Sequence, residues 1–213
     1  MESLVAVVGV ILILPILGYL AAEESYKLKI ASVIFLVVLL LSSSTLTTEW
    51  GRMTSELVDN DEDPHYGLPD IWNGKQVVCF HFPEDAVPSE FIDGRHHIDI
   101  DGTDFKTDKN WNSTGACVGG FEGYEIGIDL LYAAIELRPV LFELNATDYG
   151  ELGLFINSIG GFDPCDHGPC SMSDNIWTSW QILHNGGVSF TGISSLGLNE
   201  DSVLTFELTT STW

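Results

Sequence analysis

The chain has 213 residues, room for one ordinary domain plus an anchor, and sets 31 acidic residues against 8 basic ones for a net charge of −23. That imbalance excludes nucleic-acid binding, which needs Lys and Arg to meet phosphate. It fits solubility in salty surroundings and a halophilic or marine, archaeal-like source.

The charge is unevenly placed. Only Lys27, Lys29, Glu2, Glu23 and Glu24 precede Thr47, so the N-terminal quarter is nearly all apolar. Residues 4–22 and 30–46 are uncharged apolar runs. At 1.5 Å per residue they predict two transmembrane helices, the first kinked at Pro15. The linker Glu23–Lys29 between them holds two Lys, which by the positive-inside count makes it cytoplasmic and leaves both termini outside. Residues 1–47 are thus expected to be a membrane hairpin. A cleaved signal peptide is the alternative, but Glu2 stands where a basic flank belongs.

Residues 48–74 read as an acidic tether, with Asp59-Asn60-Asp61-Glu62-Asp63-Pro64 exposed and aperiodic. Residues 75–213 are expected to form an extracellular domain. Lys75 to Phe82 predicts a buried strand and His96 to Ile100 a shorter one, while Gly102 to Gly120 reads as loop. Ile128, Leu131, Tyr132 and Ile135 recur at i, i+3, i+4 and i+7, predicting a helix that Pro139 ends. Val140–Leu144, Gly153–Ile159, Trp180–His184 and Val203–Leu208 read as strands. Asn185-Gly186 predicts a hairpin turn. One main helix among several strands makes the domain α+β.

Four cysteines, Cys79, Cys117, Cys165 and Cys170, suggest two disulfides with three possible pairings. Cys165–Cys170 with Cys79–Cys117 is favoured, because the first pair closes a short loop containing Gly168-Pro169. Cys165, His167 and Cys170 as metal ligands is the rival, and it lacks a second ligand pair for structural zinc. Asn112 and Asn145 head glycosylation sequons. Asp99, Asp101 and Asp104 with Gly102 make a weak calcium pattern, short of a third early ligand and a late Glu. No metal is expected on that ground. Nucleophile elbows, zinc-protease helices and phosphate loops do not occur in the sequence, so no catalysis is expected.

Beyond these patterns, Asp129-Leu130-Leu131-Tyr132-Ala133-Ala134, then Gly150 to Gly161, then Trp180 with Asn185-Gly186, then Gly192 to Leu204 follow in order. Together they resemble the transcobalamin-like C-terminal domain family, many members of which are catalogued only as a domain of unknown function. Glu200 stands where the family has Gly, and residues 84–120 and the Cys165–Cys170 loop look like insertions. The resemblance implies a β-grasp-like fold, a mixed sheet packed on one helix. It also implies cobalamin as a ligand, although the helical barrel that holds the other corrinoid face in cobalamin carriers does not fit in 213 residues.

The expected function is a membrane-anchored binding module for a small molecule or glycan. Trp177, Trp180, His184 and Asn185 near the hairpin tip are its candidate ligand residues. The alternatives are an envelope protein that binds protein partners through a sheet edge, and a corrinoid-binding accessory protein.

Overall fold

A computed structural model describes residues 2–43, 64–83, 87–108, 114–140, 142–150 and 153–213. The chain divides into two units, Met1–Gly51 and Arg52–Trp213. The acidic run 59–63, the sequon at Asn112 and the end of the second apolar run lie outside the described residues.

The first unit holds α1 (Glu2–Ala21) and α2 (Lys27–Leu41). They pack together where Gly18 leaves room for Ile30 and Ile34. The transmembrane reading is corrected here: among the described residues, no helix is long and apolar enough to cross a membrane. Helix α2 has 15 residues, which span about 22 Å against a hydrocarbon core of about 30 Å. Its bounds are Lys27 and Leu41. Lys27 and Lys29 lie inside α2 instead of in a linker. The membrane hairpin, the cytoplasmic linker and the outward placement of the second unit rested on those spans and fall with them.

The second unit is α+β. Among the described residues its main sheet has eight strands: β1 (Gln76–Phe82), β2 (Arg95–Asp99), β3 (Asp104–Asp108), β4 (Thr114–Phe121), β7 (Cys170–Ser171), β8 (Ile176–His184), β9 (Gly187–Val188) and β10 (Val203–Thr212). Their order is β3-β2-β4-β1-β10-β8-β7, with β9 paired to β8. Pairing is mixed: β1 with β10 and β2 with β4 are parallel, and the other neighbours are antiparallel. A separate hairpin joins β5 (Leu144–Asp148) to β6 (Leu154–Ile159). Helix α3 spans Gly127–Leu137, and a single turn, α4, spans Pro164–His167.

Strand β1 is central and buried on both sides, which explains its unbroken apolar run. Val78, Phe80 and Phe82 point into the larger core with Leu130, Leu131 and Ala134 of α3. There Phe80 stacks on Phe142 at 4.5 Å and on Phe206 at 5.6 Å, and Phe142 stacks in turn on Phe91. Val77 and Cys79 point the other way, into a smaller core with Trp72, Cys117 and Val203.

Strand β4 occupies much of the segment read as loop. Its sequence, TGACVGGF, is glycine-rich because its neighbours come close. A Cβ on Gly115 would run into the Phe80 carbonyl, and one on Gly119 into the Trp72 ring. Helix α3 falls where the apolar spacing predicted it, but its buried stripe is Gly127, Leu130, Leu131 and Ala134, one residue off the predicted face. Tyr132 is 46% exposed. Gly127 sets that rotation by packing against Ile193 and Leu196. Val140 is exposed and lies in a turn, and β5 begins only at Leu144.

Gln76 ties the loops at the base of β1. Its amide donates to the carbonyls of Tyr124 and Asn199 and accepts from the Tyr124 N–H, so a buried polar side chain has its hydrogen bonds met.

Candidate functional site

A cleft of about 110 Å³ opens between β6, α4 and β8, lined by Phe155, Asn157, Asp163, Cys165, Trp177 and Ser179 among others. Phe155 is 41% exposed and Trp177 half-buried, so two aromatic rings border it. Strand alternation places Phe155 and Asn157 on one face of the β5–β6 hairpin, while Ile156 points into the core. The Asn157 amide donates to Thr147 Oγ1 at 2.9 Å and to Asn145 Oδ1 at 3.2 Å, which fixes its orientation. Asn145 is exposed on that strand, so its sequon is sterically open.

Asp163 and Pro164 build the floor. Asp163 caps α4 by accepting the Cys165 N–H at 2.9 Å, and Pro164 occupies the first helical position, where its missing N–H costs nothing. The Cys165–Cys170 disulfide then returns the chain to β7, which pairs with the start of β8 at Trp177. Gly168 lets that loop sit against Thr178, whose hydroxyl donates to the Pro169 carbonyl. The other disulfide joins Cys79 and Cys117, directly opposed across β1 and β4.

Of the four ligand residues suggested by sequence, only Trp177 lines the cleft. Trp180 lies in the core, edge-on to Phe82 and Phe162 at 5.7 Å each. Its indole N–H is buried with no acceptor among the described residues. Asn185 is the turn residue itself. It adopts φ 50, with Gly186 at φ 79, and its side-chain carbonyl accepts the Val203 N–H at 2.8 Å. His184, 3% exposed, closes the strand end and contacts Ser202 Oγ at 2.9 Å.

The aspartates of the weak calcium pattern are spent internally. Asp99 accepts from the Trp72 indole, Asp101 from the Thr103 N–H, and Asp104 pairs with Arg138 at 3.2 Å. The cleft residues Phe155, Asn157 and Asp163 were not singled out from sequence. The Asp163-Pro164 pair was the available signal, since it marks a helix start.

Burial lowers the pKa of His184 to about 4, against a smaller upward pull from Asp201. The folded protein therefore holds His184 neutral at pH values where the unfolded chain, near 6.5, is protonated. The stability tied to His184 is complete above pH 6.5 and is lost as pH falls toward 4. Replacing His184 by Gln is expected to remove roughly 2 kcal/mol of that acid sensitivity. Urea unfolding at pH 7 and pH 4.5 checks it, and an equal pH response in both proteins would contradict the assignment.

No protein-family model matches the chain, and neither does any curated protein. Structural neighbours include haptocorrin in complex with Cbi, at 13% identity and TM-score 0.31, over 62% of this chain and 25% of haptocorrin's own length. They also include the "putative metal binding protein" of Ruminococcus gnavus ATCC 29149, at 14% identity and TM-score 0.31, over 64% of this chain and 99% of that one.

Proposed function

We propose that the second unit is a non-catalytic binding module of the transcobalamin C-terminal kind, taking a small molecule or glycan at the cleft beside Trp177. The observation that carries this reading is the cleft itself, with Phe155 and Trp177 at its border and Asn157, Asp163 and Ser179 within reach. Aromatic rings bordering a concave site with a few polar groups suit a flat-faced ligand that also forms hydrogen bonds. Support for the family comes from the ordered sequence blocks of residues 125–208 and from a mixed sheet packed on one main helix.

Tryptophan fluorescence of the full chain, titrated separately with cobinamide, methyl mannoside and N-acetylglucosamine, tests the reading. One probe is expected to give a saturable change that Trp177→Ala weakens at least tenfold, about 1.4 kcal/mol. The cobinamide and sugar arms separate a corrinoid ligand from a glycan. Silence of all three at about millimolar concentration, a ceiling near −4 kcal/mol, would count against the cleft.

A further inference from the structure

The far face of the sheet, away from α3, carries a second group of residues with chemistry. Cys79 and His81 stand two apart on β1 and so share a face, and Cys117 lies directly opposite Cys79 on β4. One ligand atom from each of the three lies within 4.8 Å of the others. Cys79 is 2% and Cys117 0% exposed, while His81 is only half-buried and so marks the open side. The Arg95 guanidinium stands 3.1 Å from His81 Nε2.

We propose that reduction of the Cys79–Cys117 disulfide uncovers a binding site for one soft monovalent cation, Cu(I), held by the two thiolates and His81. A dithiol or phosphine supplies the two electrons. With a dithiol, the S–S bond breaks, two thiols form on the protein, and the reductant leaves as its own disulfide. Cu(I) binding then displaces both thiol protons, giving two Cu–S bonds and one Cu–N bond, with the copper oxidation state unchanged.

Donor type and number decide the metal. The two thiolates are soft and the imidazole is borderline, and Cu(I) accepts two or three such ligands, whereas structural zinc takes four. Among the described residues the cluster offers three. Two thiolates and one Cu(I) carry one net negative charge, which the Arg95 guanidinium, 3.1 Å from His81, helps to offset. His81 has to exchange its Arg95 contact for the metal, or present its other ring nitrogen. It should therefore contribute affinity while the thiolates fix stoichiometry.

The test uses the full chain with Cys165 and Cys170 both changed to Ser, so that one disulfide remains. Oxidised and phosphine-reduced samples are titrated without oxygen against Cu(I) held by a coloured chelator. The reduced protein is expected to take one Cu(I) from the chelator, with a new thiolate-to-copper absorption below about 300 nm, and the oxidised protein none. His81→Ala should keep the stoichiometry and lose at least tenfold in affinity. Near-UV circular dichroism follows the fold. If reduction alone loosens it, recovery on adding Cu(I) supports the site and failure to recover overturns it. No uptake by the reduced protein, uptake indifferent to His81→Ala, or a preference for Zn(II) would each overturn the proposal.

Discussion

Phe80→Ala is expected to lower the unfolding free energy by about 4 kcal/mol, within the range for truncating a buried Phe. Phe80 is fully buried in β1, with Phe142 stacked at 4.5 Å and Phe206 at 5.6 Å. Removing its ring takes away both stacking partners at once and leaves a cavity between the sheet and the segment carrying Phe142. That cavity cannot close by a local shift, because β1 is held in register by β4 and β10. The loss should appear in urea as a lower midpoint with an unchanged slope, and in heating as a melting temperature lower by roughly 12 °C. Phe190→Ala is the control: that ring is 78% exposed, so its removal should stay within about 0.5 kcal/mol. A cost below about 1.5 kcal/mol for Phe80→Ala would mean that the core repacks around the gap, and that the ring stack is not a fixed element of the fold.

The strands legible in the sequence are those whose side chains supply their burial. Gln76–Phe82 and Val203–Thr212 announce themselves through Val, Phe and Leu, and Asn185-Gly186 through the positive φ that both residues adopt. Strand β4 does not, because close approach by Phe80 and Trp72 makes glycine the fitting residue there, and glycine reads as loop. The helix was legible by period but not by face. Gly127 contributes no hydrophobic signal, yet it is the residue that lets α3 approach Ile193 and Leu196. Trp180, His184 and Asn185 looked like a binding tip because polar and aromatic residues gather at a turn. Their roles as core ring, buried neutral base and turn former depend on partners at Phe162, Ser202 and Val203, which sequence proximity does not reveal. The cleft escaped for a related reason. Phe155, Asp163 and Trp177 come from three separate elements, and only the fold brings them together.

The two disulfides should differ in what they contribute. Removing Cys79–Cys117 by changing both residues to Ala is expected to cost about 4 kcal/mol, and removing Cys165–Cys170 about 2 kcal/mol, by the loop-closure entropy of chains of these lengths. The sequence separations are 38 and 5, so the first bond restrains a far larger part of the unfolded chain. Alanine is the replacement of choice because both sulfurs of the longer bridge are buried, and a serine hydroxyl there would lack partners. In the native state little should change, since β1 and β4 stay paired through the backbone register from Gln76–Phe121 to Phe82–Thr114. The denatured ensemble should instead expand, so the urea slope should rise for the Cys79/Cys117 variant and barely move for the Cys165/Cys170 variant. Slope and midpoint together separate this account from its rival. Equal costs for the two bridges at an unchanged slope would place the effect in local packing, among Trp72, Val77 and Val203 around the first bridge. A larger cost with a larger slope would place it in the unfolded chain. In that case β1 and β4 keep their pairing without the bond, as a thiol pair that stays folded enough to bind a metal requires.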